Sequence, residues 1–554
     1  MAEVVLGRSA PARTDGLALV VAGASLGTLF EWYDFFLYGS LAGEIGRHFF
    51  AAVDERTGFV FALAAFAAGF IARPFGALLF GRIGDMVGRK NTFLVTMTLM
   101  GLSTFAVGLL PDYAAVGVAA PVILVALRLL QGLAIGGEYG GAVVYIGEHA
   151  PPERRGLATS WINIMATGGL LTSLLVIVAF RGRMSEASFA TVGWRGPFLV
   201  SAALLAVSLW VRLKLNESPV FRRMKADDAL SRAPYAEAFG RWENVRAMLV
   251  ALFGPVAGQA VVWYAGGFYA LFFLTRVLKL ADLDTDLLLI TALALAAPSY
   301  VLAGWLSDVV GRKPVVLAGC ALGAVALFPL FHALTFAANP ALAEAQAQAP
   351  VSVYADPASC SVQFDPVGAN HFDQTGCDIA KAWLSRGGVS YRSIALPAGA
   401  PARVQIGAQA LLAPDPAGLA PPARKAAIAA FGAEAKAALT TARYPAKADP
   451  ARIDRVRVVL IVVALVSIAA LIYGPTAAIL TELFPARIRY TSISVPYHLG
   501  AGWIGGLMPA TAFAIVAGSG DIYAGLWYPV GFVALSLVVS LLFLPETRGR
   551  SVEA

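Results

Sequence analysis

Gly81-Arg-Ile-Gly-Asp85-Met-Val-Gly88-Arg89-Lys90 and Gly304-Trp-Leu-Ser-Asp308-Val-Val-Gly311-Arg312-Lys313 are two copies of one pattern, G-x-x-x-D-x-x-G-R-K. Each copy follows an apolar run of helical length, so each reads as a tight turn between antiparallel helices. Glycine suits the points where backbones approach closely. Asp85 and Asp308 can cap a helix start or pair with a basic neighbour, and Arg and Lys favour the cytoplasmic end of a bilayer span. One copy would be a generic basic turn. Two copies in register mark an internal duplication, the architecture of alternating-access carriers.

The rest of the chain fits a duplicated bilayer protein. Of 554 residues, 58% are hydrophobic and 14% charged, with mean hydropathy +0.70, whereas a soluble domain carries about 25% charged residues. That composition argues against a cytosolic enzyme and against disorder. Lys plus Arg (42) exceed Asp plus Glu (35) by 7, a surplus that inward-facing loops supply and that does not suggest nucleic acid. Twelve runs of spanning length stand at 17–40, 59–80, 92–110, 116–144, 157–180, 195–213, 246–274, 286–306, 315–337, 457–480, 492–517 and 525–544. Runs of this length exclude barrel strands. The first carries Glu31 and Asp34 and is expected to be a retained helix rather than a signal sequence.

Loops on one side hold roughly 21 Lys and Arg, among them Arg8, Arg13, Arg154, Arg155, Arg487, Arg489 and Arg548; the short loops opposite, with Arg47, Arg56 and Arg181, hold roughly seven. Both termini are therefore expected in the cytoplasm. The expected organisation is a cytoplasmic tail (1–16), an N-terminal six-helix bundle (17–213), a basic cytoplasmic loop (214–245), helices seven to nine (246–337), an extracytoplasmic insertion (338–456), helices ten to twelve (457–544) and a cytoplasmic tail (545–554). The Ala-, Pro- and Gly-rich insertion allows a small folded unit, a lid or a loose loop. Within it 424–442 reads as a helix and 389–406 could pair as strands. Cys360 and Cys377 can form a disulfide in an oxidising compartment or stay free thiols. Cys320 reads as packing.

The duplicated turn resembles the loop signature of the major facilitator superfamily, and Arg128-Leu-Leu-Gln131-Gly132 resembles its fourth-helix motif. Asn216-Glu217-Ser218-Pro219 and Pro545-Glu546-Thr547-Arg548-Gly549 are similar to the half-terminal motifs of its sugar-porter-like branch. Phe30-Glu31-Trp32-Tyr33-Asp34-Phe35, Ala72-Arg73-Pro74-Phe75-Gly76, Gly136-Gly137-Glu138-Tyr139-Gly140-Gly141, Gly193-Trp194-Arg195-Gly196-Pro197-Phe198 and Glu482-Leu-Phe-Pro485-Ala-Arg487-Ile-Arg489-Tyr490 resemble the metabolite–proton symporter family. Its members take up small organic acids, proline, betaines or shikimate. The resemblance implies an all-α fold of twelve spans in two six-helix halves, in a bacterial inner membrane. The 338–456 insertion departs from it.

Charges at membrane depth are functional suspects because unpaired ones are costly. They are Glu31, Asp34, Arg73, Arg128 and Glu138. Glu31 and Asp34 share a helical face, as do Arg128, Gln131 and Glu138. A buried acid facing an arginine is a workable proton switch, because burial disfavours the carboxylate and the cation favours it. The expected proton-coupling set is Asp34, Glu31 and Arg128; a fixed ion pair tethering two helices is the alternative. Arg73 is expected either as a carboxylate clamp or as a partner for the acids, and Glu138 either in the cavity or between helices. Gln131, Gln259, Tyr264 and Tyr497 are further substrate-binding candidates, and Tyr300, Tyr473 and His498 are polar neighbours. The glycines around Glu138 suit close packing. Gly81, Asp85, Gly88, Arg89, Lys90, Asp308, Gly311, Arg312, Glu148, Arg154, Glu482 and Arg487 are expected to close the cytoplasmic face.

Other classes find little support. The five histidines (His48, His149, His332, His371, His498) show no metal-binding spacing, and no phosphate-cradling loop occurs. No metal, cofactor or nucleic acid is expected. The partners are protons, a small organic acid or zwitterion, and the bilayer, with the chain acting as a monomer. A carrier-fold sensor using the insertion as its binding module, or a proton-antiport exporter, is the alternative.

Overall fold

The computed structural model describes residues 16–52, 55–214, 216–361 and 372–552. Arg8, Arg13, His371 and the Arg56 side chain lie outside the described residues. Twelve long helices form the body: α1 (Leu17–Ser40), α2 (Glu55–Val87), α3 (Arg89–Leu109), α4 (Ala119–His149), α5 (Arg155–Arg181) and α6 (Arg195–Leu213) in the first half. The second half holds α7 (Trp242–Val277), α8 (Asp282–Val310), α9 (Arg312–Ala338), α10 (Arg455–Leu483), α11 (Ala486–Val516) and α12 (Ala524–Phe543). All but α1 are long and apolar enough to cross a membrane by length and composition. The exception, 24 residues long, carries Glu31 and Asp34. Leu109, Val122, Trp210, Val325, Leu460 and Leu542 point outward from the bundle, as lipid contact requires.

Small residues set the helix spacing. A methyl group on Gly76, Gly132 or Gly136 would strike the backbone of the facing helix in the α2–α4 pair, and one on Gly140 or Gly141 would strike Ser494 or Tyr490 of α11. Across the halves, α2 packs on α11 and α5 on α8 and α10.

The two duplicated turns are built alike. Gly88 and Gly311 sit at φ 129° and 108°, a region that favours glycine. Each is followed by a helix whose first N–H groups meet a glutamate from the end of its own half. Glu217 accepts from Lys90 N at 3.2 Å; Glu546 accepts from Arg312 N at 3.0 Å and Lys313 N at 3.1 Å. A Cβ at Gly88 or Gly311 would lie 2.5 or 2.6 Å from those carboxylates, so glycine is needed twice over. Burial alone would raise the Glu546 carboxyl, but backbone N–H groups of Arg548, Arg312, Lys313 and Thr547 hold it below the usual glutamate value. Its contribution therefore persists above the ordinary glutamate range and fades only as the pH falls below it.

Within the insertion, residues 340–361 and 372–441 form an α/β cap. Helix Pro340–Gln348 leads to β1 (Val351–Ala355), helix Gly376–Arg386, β2 (Arg392–Ala395), β3 (Arg403–Ile406), β4 (Gln409–Leu412) and helix Pro421–Thr441. The sheet order is β2-β1-β3-β4, with β1 parallel to β2 and antiparallel to β3. The expected strand pairing within 389–406 is thus corrected: β2 and β3 do not pair with each other, because both flank β1, whose alternate residues Val351, Val353 and Ala355 are buried. Cys360 and Cys377 are joined by a disulfide, and Cys320 is free and buried. The cap is anchored through Tyr391 N to Gly520 O (2.7 Å), Ala448 N to Lys279 O (3.1 Å), Asn339 Nδ2 to Leu278 O (2.9 Å) and Asp454 N to Ala337 O (2.9 Å). Every anchor belongs to the second half.

Candidate functional site

At the face of the duplicated turns, a buried charge network joins the halves, and it too is doubled. Asp85 accepts from Tyr490 N (3.2 Å), Thr491 N (3.0 Å) and Thr491 Oγ1 (2.8 Å), capping the start of α11. Asp308 accepts from Gly156 N (2.9 Å) and Leu157 N (2.7 Å), capping the start of α5. Each motif aspartate therefore caps a helix of the other half. Glu148 takes Arg489 at 2.8 Å and Arg89 at 3.8 Å, while Glu482 takes Arg155 at 2.9 Å and Arg312 at 3.2 Å. Gly81 lets α2 approach Thr491 closely, and Lys90 Nζ reaches Leu213 O at 3.2 Å.

Two expected members of this network are corrected. Arg154 is exposed and its neighbour Arg155 makes the bond; Arg487 pairs with Glu237 at the surface and Arg489 makes the bond. The backbone turns through Pro152–Arg154 and Ala486–Ile488 before the helices begin, leaving Arg155 and Arg489 as the first inward-pointing residues. The signal was present: Glu148, Pro151 and Arg155 repeat as Glu482, Pro485 and Arg489 in an E-x-x-P-x-x-x-R pattern.

Between the halves, aromatic rings fill the centre. Tyr139 of α4 stacks on Tyr497 of α11 at 3.4 Å, and the hydroxyls of Tyr497 and Tyr473 lie 2.6 Å apart. Tyr139 donates to Asn163 Oδ1, whose amide donates to Tyr473 O. Thr167 donates to Tyr300 and accepts from the Trp263 indole. Toward the insertion, Phe36 packs on Trp263 and Phe268 at 5.3 and 5.1 Å, and Phe66 on Phe268 at 5.9 Å. Among the described residues, side chains of the two halves meet both at the turn face and toward the insertion. Gln259 and Tyr264 are buried in α7 beside wide π-type turns at Leu252–Val256 and Ala265–Tyr269, a distortion common at functional sites.

Two guanidinium groups share this region without a carboxylate. Arg73 is fully buried over the rings of Phe35 (4.2 Å), Phe70 (4.5 Å) and Trp32 (5.2 Å), and its three nitrogens make no hydrogen bond among the described residues. The backbone of Gly502 in α11 lies beside it. Arg128 lies over Tyr38 (4.3 Å) and Phe35 (4.8 Å), so Phe35 serves both cations. Arg128 does not meet Asp34. It donates to Gln131 Oε1 at 2.5 Å, and Gln131 donates to Thr104 Oγ1 at 2.8 Å. Thr104 also bonds Asp34, so Arg128 and Asp34 are linked through Gln131 and Thr104 rather than directly.

Three acids collect between α1 and α4. Glu31, Asp34 and Glu138 border one small cavity, and the cation facing them is Arg212 of α6, which donates to Glu138 Oε1 at 3.2 Å. Both oxygens of Glu31, Oδ1 of Asp34 and Oε2 of Glu138 make no hydrogen bond among the described residues. Arg212 stands in the last turn of its helix, where sequence alone reads it as one more cytoplasmic charge. No motif singles it out.

Comparison with known proteins follows this geometry. The sugar (and other) transporter family is matched over residues 20–238 and 426–554, and the MFS/sugar transport protein family over 147–355. The proline/betaine transporter of Escherichia coli K12 is 34% identical over 328 residues, which cover 57% of this chain and 64% of that one, just under two thirds of its length. The shikimate transporter of the same organism is 34% identical, covering 56% and 71%; its alpha-ketoglutarate permease is 33% identical, covering 58% and 72%. The proton:xylose symporter XylE bound to 6-bromo-6-deoxy-D-glucose superposes with TM-score 0.63 at 16% identity, covering 97% of this chain and 98% of that one. These proteins are transporters, not enzymes. With the twelve-helix body and the doubled turns, the matches make this chain a member of the sugar (and other) transporter family of the major facilitator superfamily, on its metabolite–proton symporter branch.

Proposed function

We propose that this chain is a monomeric, proton-driven uptake carrier for a small carboxylate-bearing metabolite, set in a bacterial inner membrane with both termini in the cytoplasm. The turn face is then cytoplasmic and the cap extracytoplasmic, in keeping with the excess of Lys and Arg in the turn-face loops. The observation that carries the reading is Arg73. A buried guanidinium with no carboxylate partner among the described residues and only the Tyr264 hydroxyl beside it, on the interface between two halves, is a receptor for a carboxylate through two parallel hydrogen bonds. Arg128 lies across Phe35 and adds a second positive field. The stacked Tyr139, Tyr473 and Tyr497, with Trp32 and Trp263, offer π faces to an apolar or quaternary-ammonium remainder. A betaine-like zwitterion suits this combination, and the similarity to proline/betaine transporters supports it.

Coupling runs through α1, which carries Glu31 and Asp34 together with the Phe35 ring that lies against Arg73 and Arg128. Protonation neutralises an acid whose ionised form is costly at membrane depth, which lets α1 shift and changes how Phe35 presents Arg73. Labelled glycine betaine, 2-oxoglutarate and shikimate supplied to proteoliposomes, with and without an imposed pH gradient, test the reading. Uphill uptake of at least one under the gradient alone is expected. Equal uptake in both conditions would remove the coupling.

A further inference from the structure

Every residue lining the cavity against Glu31, Asp34 and Glu138 belongs to the first half, drawn from α1, α3, α4 and α6. It holds about 10 Å³, room for a single water. A second cavity of about 10 Å³ lies directly under the first duplicated turn, walled by Arg89, Lys90, Phe93, Gly141, Tyr145 and Arg212. Arg212 stands between the two. It bonds Glu138, which borders the upper cavity, while lining the lower one. Its guanidinium rests 3.1 Å from the Phe93 ring centroid, and Nε and Nη1 make no hydrogen bond among the described residues. A methyl group on Gly27 would land on the guanidinium, so the arginine's seat exists because α1 has no side chain there. The titratable and charged groups facing this cluster are Glu31 and Asp34 of α1, Arg73 of α2, Arg89 and Lys90 of α3, Glu138 and Tyr145 of α4, Arg212 of α6 and Tyr490 of α11.

We propose that the proton reaches the cytoplasm through the first bundle itself, apart from the substrate route between the halves, and that Arg212 is the gate. The proposal rests on the proton-coupled reading above. An O–H bond of neutral Glu31 breaks, and through the single water an O–H bond forms on Glu138. The guanidinium keeps its charge and passes its hydrogen bond from Glu138, now neutral, to the Glu31 carboxylate. Glu138 then gives its proton to water in the lower cavity, and Arg212 returns to it. With Arg212 seated on Glu138, a fixed cation closes the route.

The test uses the full chain in proteoliposomes with the same three labelled probes. It measures uphill uptake under a pH gradient, counterflow without one, and the infrared C=O band of buried carboxylic acid across a pH titration. If the unaltered protein accumulates no probe, the coupling reading fails and takes this proposal with it. If it does accumulate one, Glu138→Gln is expected to lower accumulation about tenfold or more. Arg212→Lys and Gly27→Ala should each shift the pH at which the carboxylic-acid band titrates, a readout that a merely structural role would not move. Normal accumulation by Glu138→Gln, or a titration unchanged by both Arg212→Lys and Gly27→Ala, would overturn the proposal.

Discussion

Phe35 touches both buried cations. Its ring lies 4.2 Å from the Arg73 guanidinium and 4.8 Å from that of Arg128, and its helix also carries Glu31 and Asp34, which border the small cavity. Neither arginine forms an ion pair with a carboxylate among the described residues, so their charge is left for a ligand. Arg73→Lys keeps the charge but loses the planar fork, so half-saturation for carboxylate probes should rise about tenfold, and Arg73→Ala should abolish uptake. Unchanged uptake by Arg73→Ala in a direct flux assay would dismiss the clamp. The residue types at membrane depth were legible in the sequence, because buried charge is rare enough to stand out. Their partners were not, since partners depend on how α1 is rotated. Arg212 was hidden for another reason: its seat is made by Gly27, one of 55 glycines, on a helix far away in sequence.

The duplicated turns show what an element can reveal in advance. The turn positions Asp85, Gly88, Asp308 and Gly311 stand out because the pattern occurs twice. Their reciprocal capping of α11 and α5 does not, because it joins halves that sequence order keeps apart. Asp85→Asn or Asp308→Asn leaves one neutral acceptor where a carboxylate held two N–H groups. The loss should loosen the closed face by about 1–2 kcal/mol, roughly a 5- to 30-fold shift in population. Labelling of a cysteine at Ser494, buried in α11, by an impermeant maleimide from the cytoplasmic side should accelerate to match. An unchanged rate would mean that the aspartates do not hold this face. Loss of one partner from a buried pair such as Arg155–Glu482 should act more strongly, at roughly 3–5 kcal/mol. In the cap, the strands of 389–406 were readable as strands, yet their pairing with β1 was not, because β1 lies before the disulfide and a helix intervenes.

At the scale of the molecule, two closures face each other. Ion pairs and caps hold the end of the duplicated turns, and rings of α1, α2 and α7 fill the other. Polar contacts in a dry interior are directional and switch between discrete arrangements, while ring packing tolerates sliding. The two ends therefore open by different physics. The backbone and Asn339 anchors of the insertion run to the second half, so the cap should travel with that half as one body. Spin labels at Glu434 in the cap and Asp284 in α8 should keep one distance through the cycle, and a change between them would show the cap to be a separate lid. The most direct measurement of the whole account places two further label pairs in proteoliposomes. Val87 and Val310 report the cytoplasmic ends of α2 and α8; Ala115 and Asp282 report the opposite face. Addition of a transported probe under an inward pH gradient should lengthen the first distance and shorten the second together. Movement at one face without the other, or no movement at either under active uptake, would contradict two halves rocking about a single central site.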